Sequence, residues 1–178
     1  IAVIDATIQS LGYQTELIGN ARSLCHKLAA GKKWDLVFNI AEGLSGRCRE
    51  SQVPAMLEVY GIGYTFSDPL SCAITLDKSF AKRIVQAFKL PTARFAVVKP
   101  GTRDPCLVTR SLKYPLFAKP VAEGTGKGID GNSLIESRSQ LKQMCEFLLE
   151  RFAQPVLVEE FLPGREFTAA GLGNGDGA

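Results

Sequence analysis

Apolar side chains recur at helical spacing at the start of the chain, at Ile1, Ile4, Ile8 and Leu11, and Gly12 follows as a stop. This pattern predicts an amphipathic helix. "YQTELI" then reads as a short strand, "ARSLCHKLAAG" as a helix stopped by Gly31, and "WDLVFNI" as a buried strand. Helix, strand, helix, strand in this order predict a parallel sheet covered by helices, with ligand sites just beyond the strands' carboxyl ends. "AEGLSGRCRE" follows the second strand and so takes such a place. Val53, Met56, Leu57 and Tyr60 mark one face of the next helix, opened by Pro54 and closed by Gly61, and "IGYTF" follows as a short strand.

The pattern then changes. Phe80, Ile84, Val85 and Phe88 form a helical stripe with Asp77 as N-cap and Pro91 as stop. "RFAVV", "PLFAK", "NSLI", a helix over "SRSQLKQMCEFLLERF" with a Ser137 to Gln140 capping box, and finally "PVLVEEFL" read as an α+β unit. The boundary between the two patterns is placed near residue 70. A first helix with no strand before it, and a hairpin-turn pair, Asn174-Gly175, with no return strand after it, lead us to expect a piece of a longer protein.

Composition changes this picture little. With 46% hydrophobic and 22% charged residues in 178, the chain has enough apolar surface for one large or two small cores. The formal charge of +3 gives no argument for a nucleic-acid or membrane partner and leaves room for a small anionic ligand. Cys25, Cys48, Cys72, Cys106 and Cys145 are widely spaced and odd in number, unlike a disulfide framework or a zinc site, so a cytoplasmic location is expected. No apolar stretch approaches the ~18 residues of a membrane helix. His26, the only histidine, reads as a surface position, which leaves no basis for a Ser-His-Asp machine or a histidine-rich metal site.

The chemistry concentrates in "YPLFAKPVAEGTGKGI", residues 114–129. Gly124, Gly126 and Gly128 would let backbone N–H groups approach phosphate oxygens. The spacing excludes two familiar phosphate loops: Lys127 is followed by Gly128 rather than Ser or Thr, and the third glycine of a dinucleotide fingerprint falls on Ile129. Lys119, among Leu116, Phe117, Ala118 and Pro120, is either an ammonium that needs an anion or an edge-strand lysine reaching out to water.

Several separated segments, in order, resemble one family. "WDLVFNIAEG", "MLEVYGIGYTFSDPLSCAITLDKSFAK", "YPLFAKPVAEGTGKGI" and "PVLVEEFLPGREFT", spread between Trp34 and Gly173, are similar to the D-alanine:D-alanine ligases of the ATP-grasp superfamily. The resemblance implies a partial parallel-sheet N-terminal domain over residues 1–70, lacking its first strand. It further implies an α+β ATP-grasp central domain over 71–159 and the start of a C-terminal domain over 160–178, the rest of which is missing. It implies that Lys78 and Lys119 hold ATP phosphates under a lid from Glu123 to Ile129. That lid includes Gly124, Thr125 and Gly126, with Thr125 standing where the family usually has serine. Main-chain groups of Glu160 and Leu162 would read the adenine edge, with Glu159 and Phe161 beside them, and Glu166 would accept from the ribose hydroxyls. The implied reaction joins two amino acids through an acyl phosphate, releasing ADP and phosphate in a step of cell-wall peptidoglycan synthesis. Its Mg2+ ligands and catalytic arginine would lie beyond residue 178, and Asp176 is not taken as a metal ligand.

The chain departs from the family where D-alanine enzymes usually carry His-Gly. Glu42-Gly43 stands there, followed by "LSGRCRE". Glu42 would suit a substrate ammonium, and Arg47 or Arg49 a carboxylate; the other reading is a solvated charged loop. The expected partners are small amino-acid substrates and a second copy of the chain. Three functions stay open: a ligase most like the D-alanine enzymes, another ATP-grasp amino-acid or peptide ligase with altered substrate choice, or a non-catalytic nucleotide-binding module.

Overall fold

Helix α1 (Ala2–Ser10) forms where the first apolar stripe predicts it. Residues 13–18 pair with no neighbouring chain, so the strand expected over "YQTELI" is not present. An extended run becomes a strand only when another strand supplies its hydrogen bonds. Glu16 from this run binds Lys27, Lys32 and the Trp34 indole instead. The structure, a computed structural model, describes residues 1–169, 171 and 173, so the Asn174-Gly175 turn and Asp176 lie outside the described residues. It separates into two compact units, residues 1–88 with 121–127, and residues 89–120 with those from 128 onward.

In the first unit, α2 (Ala21–Ala29) is capped by Asn20, whose side chain accepts from the Ser23 N–H. Strand β1 (Leu36–Val37) pairs in parallel with β2 (Gly63–Tyr64), Leu36 facing Gly63 and Val37 facing Tyr64. "WDLVFNI" is therefore a buried strand only in part: Val37 enters the core, whereas Leu36, Phe38 and Ile40 are exposed. Helix α3 (Gln52–Val59) follows a 3-10 turn at Arg49–Ser51 and sends Val53 and Leu57 into a core shared with Leu24, Leu28, Val37 and Ile62. The segment from Asp68 onward is two helices, α4 (Pro69–Leu76) and α5 (Lys78–Ala87). Asp68 and Asp77 each accept from main-chain N–H groups at the start of a helix, and Asp77 in an extended conformation breaks the run between them. Lys89, with φ of 59°, takes a left-handed conformation just past α5, so the helix ends ahead of Pro91.

The second unit is an antiparallel sheet of order β3-β6-β4-β5, formed by β3 (Phe95–Val98), β4 (Leu116–Pro120), β5 (Leu134–Ile135) and β6 (Val156–Glu160). A short helix α6 (Pro105–Val108) lies between β3 and β4 in sequence. Helix α7 (Arg138–Phe152) covers one face with Leu141, Met144, Cys145 and Leu148, meeting Leu116, Ala118, Val156 and Val158. Its capping box forms one residue out of register: Ser137 accepts from the Gln140 N–H, but the Gln140 side chain accepts from Glu136. Strand β4 alternates, with Leu116, Ala118 and Pro120 buried and Phe117 and Lys119 half-buried on the other face. It is an interior strand, so Lys119 is not an edge-strand lysine. A parallel helix-covered pair followed by an α+β unit is the expected fold class. Among the described residues no helix is long and apolar enough to cross a membrane.

Candidate functional site

The first unit gathers charged side chains around residues 121–127. Lys78 opens α5 directly after its Asp77 cap, and its backbone N–H donates to the Val121 carbonyl at 3.0 Å. Its ammonium reaches the Val121 carbonyl at 3.4 Å and makes a short hydrogen bond to the Glu123 carbonyl. Lys78 is half-buried on the loop's main chain, not a solvated charge on a helix face. Arg49, the first residue of the 3-10 turn, donates to the Ala122 carbonyl at 2.8 Å and pairs with the Glu123 carboxylate at 3.4 Å. Gly43 is obligatory for this arrangement. Its φ is 70°, and a Cβ there would lie 2.5 Å from the Arg49 carbonyl oxygen.

The other predicted residues of this unit are more open. Glu42 is exposed and lies 3.7 Å from the Lys127 ammonium. Arg47 lies 3.7 Å from Asp77 and stacks over the Phe80 ring at 5.3 Å. Thr125 has φ of 51°, unusual for a β-branched residue, between Gly124 and Gly126. The structure thus brings Glu42, Lys78, Glu123, Gly124 and Gly126 into one neighbourhood, with Arg47 beside the α5 start. The sequence offered Arg49 a substrate carboxylate. The structure instead turns its guanidinium to the loop, where one terminal nitrogen donates to the Ala122 carbonyl and meets the Glu123 carboxylate.

In the second unit, register sets the chemistry. Lys119 faces Leu157 and Phe117 faces Glu159, so Lys119 and Glu159 are diagonal neighbours on the sheet face away from α7. Their ion pair is 2.6 Å long with both side chains largely covered, and the ammonium lies 5.6 Å from the Phe117 ring centre. Glu159 thus supplies Lys119 with one anionic partner from within the sheet. Glu160 is also no free strand end. Its carboxylate accepts from the Lys113 N–H at 2.9 Å and pairs with Arg94 at 3.4 Å. Its own N–H donates to the Arg94 carbonyl. Phe161 stacks against Phe117 at 6.3 Å, its N–H bonded to the Pro115 carbonyl. Leu162 and Glu166 are exposed in the segment after β6.

Hydrogen bonds from Lys27 and then Lys32 bring the Glu16 carboxyl down to about 2, and burial pushes the Cys145 thiol up to about 12. Among the described residues no three His, Cys, Asp or Glu side chains gather in a way that could hold a metal ion.

Comparison with known proteins agrees with this architecture. An uncharacterized protein, y4sG of Sinorhizobium fredii, is 35% identical over 176 residues, covering 95% of this chain and 50% of its own length. The D-alanine--D-alanine ligase of Bordetella pertussis is 38% identical over 157 residues, 88% of this chain and 47% of the ligase. The chain spans about half the length of these curated relatives. The crystal structure of a D-alanine--D-alanine ligase from Bacillus anthracis complexed with ATP shares the fold. It superposes with a TM-score of 0.66 at 22% identity over 83% of this chain and 46% of that one. The family profile described as the D-ala D-ala ligase C-terminus matches residues 84–178. With more than half of its length inside that match, the chain belongs to the D-ala D-ala ligase family.

Proposed function

We propose that the full-length protein is an ATP-dependent ligase joining a carboxylate to an amine. The observation that carries this reading is family membership combined with a lysine at a helix start whose ammonium rests on a glycine-rich loop. A carboxylate oxygen attacks the γ-phosphorus of ATP, and the bond to the bridging oxygen breaks as ADP leaves. The amine nitrogen then attacks the acyl carbon and loses a proton, and phosphate departs with the electron pair of the broken C–O bond. Such chemistry asks the protein mainly for positioning and charge neutralisation. Magnesium, in the family's reaction, adds charge neutralisation; no described residue is assigned to it.

Lys78 and Lys119 are the phosphate ligands in this reading, since a polyphosphate is too highly charged to be covered without cations. The loop from Glu123 to Ile129 covers the phosphates and keeps water from the acyl phosphate. Because the Glu160 N–H is held by Arg94, its carbonyl is the group offered to adenine, beside the Leu162 N–H. Glu166 accepts from the ribose. Glu42, with Arg47 nearby in sequence, reverses the charge available where the D-alanine enzymes usually carry histidine, and on that ground we assign it an altered substrate choice.

The test is ADP release by the full-length protein against a panel of D- and L-amino acids and dipeptides, together with calorimetry of ATP binding. Replacing Lys119 by Ala is expected to weaken ATP binding by more than ~1.4 kcal/mol, about tenfold, through loss of a charge-assisted contact. Unchanged affinity would remove Lys119 from the site. ATP binding without turnover on any substrate would favour a nucleotide-binding module, and strict selectivity for D-alanine would overturn the altered specificity.

A further inference from the structure

The geometry points to Arg49 as a positioning residue that clamps the glycine-rich loop onto the first unit. This inference rests on the reading that the loop covers ATP phosphates. One guanidinium nitrogen of Arg49 reaches two successive loop residues, the Ala122 carbonyl at 2.8 Å and the Glu123 carboxylate at 3.4 Å. Both side chains are largely removed from water, at 13% and 16% exposure, so the contact is screened much less than a surface pair.

The clamp is mounted on rigid structure. The 3-10 turn at Arg49–Ser51 runs directly into α3, whose Val53, Pro54 and Leu57 are buried. On the other side, the Gly43 turn comes so close that a Cβ there would meet the Arg49 carbonyl carbon at 2.8 Å. The backbone of Arg49 is therefore held from both directions. Gly124, the next loop residue, lies against Glu50, with 3.9 Å between its would-be Cβ and the carboxylate.

Lys78 grips the same stretch through the Val121 and Glu123 carbonyls. The two cations divide the work. A phosphate competes for the Lys78 ammonium, which is a point charge with rotatable donors. The Arg49 guanidinium, through the one nitrogen that reaches both loop residues, keeps the loop in place while Lys78 changes partner. Arg49 thereby lowers the ordering that ATP binding must supply, the usual benefit of preorganisation.

The experiment uses full-length protein and follows hydrogen–deuterium exchange of peptides covering residues 121–127, with the KM for ATP measured in parallel. Arg49→Gln is expected to speed exchange in that loop about tenfold and to raise KM for ATP more than it lowers kcat. Arg49→Lys, which keeps the charge and a terminal donor group but not the planar guanidinium, should recover part of the KM. Loop exchange within twofold of wild type in Arg49→Gln overturns the clamp. If Arg49→Gln instead loosens the whole first unit, Glu123→Gln decides, since it preserves size and the bond to Ala122: faster exchange confined to 121–127 supports the clamp, and none overturns it. A loosened loop with unchanged KM removes the positioning role. Failure of the wild-type protein to bind ATP removes the proposed function and leaves the exchange result standing on its own.

Discussion

Three glycines of one motif should respond differently to the same added methyl group. Gly124 has a backbone conformation open to other residues, and a Cβ there would make only an ordinary 3.9 Å contact. Gly126, at φ of 75°, has no atom within 4 Å of that position. Gly128, at φ of 76°, would place its Cβ 2.6 Å from Cγ and 2.8 Å from Cδ of Pro120, and 2.9 Å from the Phe152 ring. The Pro120 ring is fully buried at the end of β4 and cannot rotate aside. Left-handed strain contributes about 1 kcal/mol for alanine, and forcing a methyl into packed surroundings about 1–3 kcal/mol more. Gly124→Ala is therefore expected within about 0.5 kcal/mol of wild type, Gly126→Ala about 1 kcal/mol less stable, and Gly128→Ala about 3 kcal/mol less stable. Urea unfolding of the three variants, with native-state exchange of the β4 and α7 amides, reads the ranking. Gly126→Ala as damaging as Gly128→Ala, or a neutral Gly128→Ala, would refute the reasoning.

Glu16 provides a pH test. Its folded pKa of about 2 lies below its ordinary value of 4.5, so the stability it contributes is present above pH 4.5 and is lost as pH falls towards 2. Stability of wild type minus that of Glu16→Gln should be constant from neutral pH to about 5 and shrink below it; a difference that grows on acidification would contradict the Lys27 and Lys32 contacts. Cysteine labelling tests packing in both units. Cys25 and Cys48 are exposed, whereas Cys106 and Cys145 are buried, the latter with its thiol pushed up to about 12. Mass spectrometry after brief iodoacetamide treatment should find the first pair alkylated and the second protected until denaturant is added, and equal labelling would contradict the α7 core.

Much of the local structure was legible because period and caps are properties of neighbouring residues. The helices α2, α3 and α7, the Asp77 cap and a strand at "PLFAK" each follow from a few adjacent side chains, although the alternation of that strand was not read there. The same reading missed the division into α4 and α5, although Asp68-Pro69 carried an N-cap and first-turn signal. It also gave strand character to "YQTELI", whose side-chain pattern suits a strand that no partner completes. The apolar stripe of α5 is present in the sequence, yet Phe80, Ile84 and Phe88 remain exposed in this chain. A stripe shows that a face is apolar, not what meets it.

The sequence by itself determined most element types and the order of a parallel unit before an α+β unit, and it named the lysines and glycines to which the proposed chemistry is assigned. Tertiary structure decided their partners. The sheet order β3-β6-β4-β5 made β4 an interior strand and set Glu159 beside Lys119, and folding brought Arg49 to a loop 73 residues away. Periodicity records which faces of an element are apolar or charged and carries no information about register or long-range approach. Those depend on how the packed layers close, and here that closure turned an arginine open to a substrate's carboxylate into the residue that holds the loop.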